Sequence, residues 1–155
     1  MGDGKPPTFL LYSELMNKKA NTISMAFKSN LKYAELSVLV LTFIKKILAI
    51  GDDEFFKIEI SLREAINNAI IHGNEKKLDK QVHVEFDWEK SFLRMRVRDE
   101  GDRRVSLEQI ENKINSCGIL STNGRGIMII KNYMDKFEFH CLNRGSEVVM
   151  EKNLS

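Results

Sequence analysis

Three short blocks of this chain combine residue types and spacings that could do chemistry. The first runs Glu64-Ala65-Ile66-Asn67-Asn68-Ala69-Ile70-Ile71-His72-Gly73. Glu64, Asn68 and His72 lie four residues apart, so on a helix they share one face. A solvated polar face would have the same spacing, but these residue types also suit a reaction. A carboxylate can take a proton from a hydroxyl, and a carboxamide one turn away offers Mg²⁺ a hard oxygen without adding charge. The second block is Asp99-Glu100-Gly101. Its carboxylate can accept a hydrogen bond from an exocyclic amine such as that of adenine, and Gly101 lets backbone approach a flat ligand. Standing alone, it would also serve as a turn. The third block, Gly124-Arg125-Gly126, precedes the apolar stretch Ile127–Met134. Glycines opening a helix leave unpaired N–H groups and the positive dipole end facing a phosphate, although Gly-x-Gly can equally be a flexible joint. No Gly-x-x-x-x-Gly-Lys-Ser/Thr loop occurs, and no dinucleotide fingerprint follows a strand.

These blocks need elements to hold them, and hydropathy spacing supplies candidates. Ile23, Met25 and Phe27 alternate with Thr22, Ser24 and Ala26, which predicts a strand over Thr22–Lys28. Leu31, Ala34, Val38, Leu41, Ile44 and Leu48 form a helical stripe over residues 31–50, with Gly51 as its stop. A second helix runs to His72 on Phe55, Ile58, Leu62, Ala65, Ile66, Ala69 and Ile70, with Asp52 or Asp53 as its cap and Gly73 as its end. Two strands follow at Gln81–Asp87 and Ser91–Arg98, joined by a turn at 88–90, so Asp99 falls at a strand end. Residues 101–123 are polar, with one helix expected near 107–114. A helix over 126–134 and a closing pair of strands, Lys136–Leu142 and Glu147–Glu151, complete the order. This succession predicts an α+β domain, a mixed or antiparallel sheet with helices packed on one face. Residues 1–19 read as an N-terminal extension, and 20–155 as the domain.

Composition narrows the function classes. The 155 residues carry 24 basic and 22 acidic side chains, a net charge of +2, too balanced for a nucleic-acid binder. The stretch Val38–Ile50 is interrupted by Lys45 and Lys46 and is too short to span a bilayer. Cys117 and Cys141 make neither a disulfide framework nor a metal cluster. A soluble cytoplasmic protein without membrane or nucleic-acid contacts is the expectation.

Taken together and in order, the three blocks resemble the N, G1 and G2 boxes of the GHKL (Bergerat-type) ATPase superfamily. Within it they look most like the bacterial anti-sigma-factor serine/threonine kinases. Glu64 to Gly73 is similar to that group's Glu-Ala-x-x-Asn-Ala-Ile-x-His-Gly, Arg98 to Gly101 to its first glycine box, and Gly124 to Ile130 to its second. The resemblance implies ATP or ADP and Mg²⁺ as ligands, Glu64 as general base and Asn68 as the Mg²⁺ ligand. It implies further that Asp99 and Gly101 read adenine, that Gly124 and Gly126 bind phosphates, and that Ser146 bonds near the adenine carboxylate. Residues 102–123 would be a lid over ATP. One departure is Arg103, which stands where the group has a second glycine. The implied function is a protein serine kinase that binds a sigma factor and phosphorylates a small antagonist, as a homodimer. The alternative is a nucleotide-gated partner-switching module of the same fold without phosphoryl transfer.

Overall fold

A computed structural model describes residues 20–102, 108 and 122–155. The N-terminal extension, Arg103, nearly all of the expected lid and the helix expected near 107–114 lie outside the described residues. Strand β1 spans Asn21–Lys28, and after a 3-10 turn at Leu31–Tyr33 helix α1 spans Ala34–Leu48. Helix α2 spans Asp52–Asn68 and continues into a π-helical turn at Ala69–Gly73. Strands β2 (Gln81–Glu89) and β3 (Phe92–Arg98), helix α3 (Thr122–Tyr133), and strands β4 (Lys136–Cys141) and β5 (Ser146–Asn153) follow. The sheet order is β1-β2-β3-β5-β4, and every pairing is antiparallel. The fold is α+β.

Strand alternation decides what each face of the sheet meets. Val82, Val84, Phe86 and Trp88 of β2, Leu93, Met95 and Val97 of β3, and Val148 and Met150 of β5 are buried in one core with the helices. Burying each large apolar side chain contributes about 1.5–3 kcal/mol. The other face carries charge in cross-strand ladders. Thr22 Oγ1 donates to Asp87 Oδ1 at 2.7 Å, Arg96 pairs with Glu85 and Asp87, and both Arg94 Nη2 and Lys136 Nζ reach Glu151 at 2.7 Å. Burial alone would raise the Glu151 carboxyl, but hydrogen bonds from Lys136 and Arg94 outweigh it and hold the group below the usual carboxylate range.

Among the differences from the sequence expectations, four have a physical reason visible in the backbone and its burial. Helix α1 ends not on Gly51 but on Ala49, which takes the left-handed conformation (φ 51°) while its N–H bonds the Lys45 carbonyl. Gly51 instead stands at the N-cap of α2, so Asp52 and Asp53 sit inside the first turn and act through the helix dipole rather than as caps. The β2 strand continues through Trp88, whose ring completes the buried face, and Glu89 pairs with Phe92, leaving Lys90 and Ser91 as the turn. Leu31 lies in the 3-10 turn and is 47% exposed, so the core stripe of α1 begins at Ala34.

Helix α1 is apolar on its outer side as well. Leu36, Leu39, Phe43 and Ile47 recur at helical spacing and are 47–67% exposed. Among the described residues no helix is long and apolar enough to cross a membrane.

Candidate functional site

Glu64 and Asn68 both project from the last turns of α2 and are half-buried, while His72 falls in the π turn and is exposed. Helix α2 keeps its apolar side, Ile58, Leu62, Ala65 and Ile66, in the core, which leaves Glu64 and Asn68 on a flank. Helix α3 packs along that flank. Gly126 is buried there, and a Cβ placed on it would lie 2.6 Å from Glu64 Oε2 and 3.5 Å from Asn68 Nδ2. The missing side chain at 126 thus makes room for the Glu64 carboxylate. Helix α3 begins at Thr122 rather than after the glycines, so Gly124 and Gly126 lie within its first turns. Gly124 lies in the first turn of that helix, whose N–H groups have no partner within the helix. The structure therefore brings Glu64, Asn68 and Gly126 together, with Gly124 one half-turn earlier in the same helix.

Asp99 forms a second centre where β3 ends. It is 6% exposed, and its carboxylate is fixed from three sides. Oδ1 accepts from Gly101 N at 2.8 Å and Ser146 N at 3.3 Å, and Oδ2 accepts from Ser146 Oγ at 2.6 Å. A carboxylate offers about four acceptor positions, so one on Oδ2 is left for a ligand donor. Three backbones crowd this group. A Cβ on Gly73 would lie 2.3 Å from Asp99 Cγ, one on Gly101 2.2 Å from Gly73 O, and one on Gly145 2.0 Å from Asp99 O. Gly145 also takes φ 81°, which only glycine adopts at little cost. Gly73, expected to end a helix, and Gly145, which lies between the two closing strands, thus both pack against Asp99. A Gly next to a polar residue gives no hint of this in the sequence.

The π turn joins the two centres. Asn74 N–H bonds the Ala69 carbonyl at 2.8 Å, a step of five residues, and this wider turn delivers Gly73 over Asp99. Beyond Gly101, Asp102 is tied down by Lys80, whose ammonium lies 2.7 Å from Oδ2 although the lysine is 5% exposed. The hydrogen bond from Lys80 holds the Asp102 carboxyl below the usual carboxylate range.

The donor chemistry suits a magnesium nucleotide. Among the described residues no three His, Cys, Asp or Glu side chains gather into a metal cage. Mg²⁺ bound with phosphates needs only one or two protein oxygens, and the Asn68 amide beside helix α3 is of a type that could provide one. A flat base with an exocyclic amine would suit the remaining Asp99 acceptor.

The family described as Histidine kinase-like ATPase domain matches residues 27–152. An anti-sigma F factor of Oceanobacillus iheyensis is 31% identical over 138 residues, covering 87% of this chain and 94% of that protein. Similar proteins of the same name occur in Bacillus subtilis, 30% identical over 66% of this chain and 72% of that protein, and in Bacillus thuringiensis, 29% identical over 79% and 83%. Matched over most of its length, the chain belongs to the histidine kinase-like ATPase domain family, and within it resembles the anti-sigma F factors.

Proposed function

We propose that this protein is an ATP-dependent serine kinase and anti-sigma factor, which binds a sigma factor and phosphorylates a small antagonist protein. The observation that carries this is the seat made for Glu64: Gly126 lacks the side chain that would strike its carboxylate, and Asn68 lies one turn away. A protein that only bound nucleotide would gain nothing from a base beside the metal ligand. In the proposed reaction the Glu64 carboxylate takes the proton of the antagonist's serine hydroxyl. The serine oxygen forms its bond to the γ-phosphorus as the bond to the β-phosphate oxygen breaks, and ADP leaves. Mg²⁺, held by Asn68, would neutralise charge on the phosphates. Asp99, with Gly101 and Ser146 fixing its carboxylate, would orient the adenine, and the N-terminal end of α3 with Gly124 and Gly126 would face the phosphates.

Capture of a protein partner and self-association belong to the same proposal. The exposed apolar stripe Leu36, Leu39, Phe43 and Ile47 of α1 offers the surface chemistry that protein partners cover. The names of the relatives support sigma-factor binding.

Incubation with Mg-ATP and candidate antagonists, followed by detection of phosphoserine, tests the kinase activity. Arg103, standing at the second glycine of the first glycine box, favours the second reading, a nucleotide-gated binding module without transfer. ATP and sigma-factor binding without any phosphoserine would select that module.

A further inference from the structure

Asn74 lies outside the three blocks, in a loop whose neighbours Glu75, Lys76 and Lys77 are charged, yet it is 0% exposed. Every polar group it brings inside is used. Its backbone N–H closes the π turn on Ala69 O, its Nδ2 donates to Gln81 O at 2.9 Å, and its Oδ1 accepts from Glu100 N at 2.8 Å. A carbonyl on one side and an N–H on the other fix the amide's orientation. Glu100 closes the ring, since its Oε1 accepts from Gln81 N at 3.2 Å and faces His83 Nε2 at 3.3 Å. The chain leaving Asn74 is strained, with Glu75 and Lys76 both left-handed at φ 53° and 58°. Such strain persists only where surrounding contacts over-determine it.

The position of this ring gives it meaning. Asn74 directly follows Gly73, whose backbone lies against the Asp99 carboxylate, and Glu100 lies between Asp99 and Gly101, whose N–H bonds that carboxylate. The Asn74–Glu100 bond therefore ties together the two backbones that pinch Asp99. We infer that Asn74 is a positioning residue for base recognition, setting the spacing of those backbones and so the direction of the remaining Asp99 acceptor. This inference rests on Asp99 as the adenine acceptor.

A double-mutant cycle on the full chain tests it, with Mg-ATP affinity measured by calorimetry and folding checked by thermal melts. Asn74→Ala strands the Glu100 N–H and should weaken Mg-ATP binding about tenfold. If it acts through Asp99, then adding Asn74→Ala to Asp99→Asn should cost less than about twofold more. A residue that merely supports the fold would multiply the losses, and full multiplication overturns the inference. Should Asn74→Ala fail to fold, Glu100→Ala loosens the same ring from a half-buried site. It should weaken binding by about threefold in the wild-type background and leave Asp99→Asn unchanged, and equal losses in both backgrounds overturn the inference. If Asp99→Asn alone leaves Mg-ATP affinity intact, it is the adenine assignment of Asp99 that fails, and the inference goes with it.

Discussion

Alanine at position 126 should damage turnover while sparing the fold. Its Cβ would lie 2.6 Å from Glu64 Oε2, whereas ordinary contact begins near 3.4 Å, so the carboxylate oxygen must retreat by about 0.8 Å. The struck atom is the far end of a flexible side chain, which can swing aside without moving backbone. Alanine is also favoured over glycine inside a helix by up to about 1 kcal/mol, so the melting temperature should hold or rise by a few degrees. The reaction has no such tolerance, because a displacement near 1 Å in a reacting group costs up to about 10²-fold. Asn68 Nδ2 would stand 3.5 Å from the new methyl, in ordinary contact, so Mg-ATP binding should change by no more than a few fold. Thermal melts, calorimetry with Mg-ATP and phosphoryl transfer to the antagonist, all on Gly126→Ala, provide the comparison. Unchanged turnover would refute the idea that position 126 seats a working base. A collapse of the melting temperature would show instead that Gly126 serves the fold.

Asp99→Asn should reduce Mg-ATP affinity about tenfold to a hundredfold, the worth of a buried hydrogen bond to a charged acceptor, with calorimetry as the check. Acid should destabilise the protein partly through Glu151, whose folded pKa lies below its ordinary value of 4.5. Such a group contributes stability above the unfolded value and loses it as pH falls through the folded one. Arg94→Met should therefore flatten the loss of stability below about pH 4.5 seen in urea melts. On α1, a Leu39→Glu, Phe43→Glu pair should abolish self-association or partner capture, as read by light scattering and pull-down with a sigma factor. Mg-ATP affinity should stay within about twofold, since the stripe lies opposite the core side of α1.

Much of this was legible in the sequence because it rests on local periodicity. The steps of three and four along α2 named Ile58, Leu62, Ala65 and Ile66 as core, and all four are buried. Alternation along β3 placed Leu93, Met95 and Val97 inward, as they are. What escaped depends on contacts between distant segments. The π turn at Ala69–Gly73 arises where α2 must deliver Gly73 to the Asp99 loop, and its helix-forming residues give no sign of the extra step. Ala49 assumes the left-handed position expected of Gly51, while Gly51 stands extended (φ −65°, ψ 158°) at the N-cap of the next helix. Asn74 and Lys80 sit in a charged loop that reads as solvated, yet both are buried, one by a ring of backbone partners and the other by Asp102.

Glu64→Gln tests the kinase assignment most directly, because it is nearly isosteric and removes only charge and basicity. Measured on one preparation, Mg-ATP binding should stay within a few fold while phosphorylation of the antagonist falls by about 10²–10⁴, the usual share of general base catalysis. Transfer at the wild-type rate by the Glu64→Gln variant would contradict the assignment of Glu64 as the base.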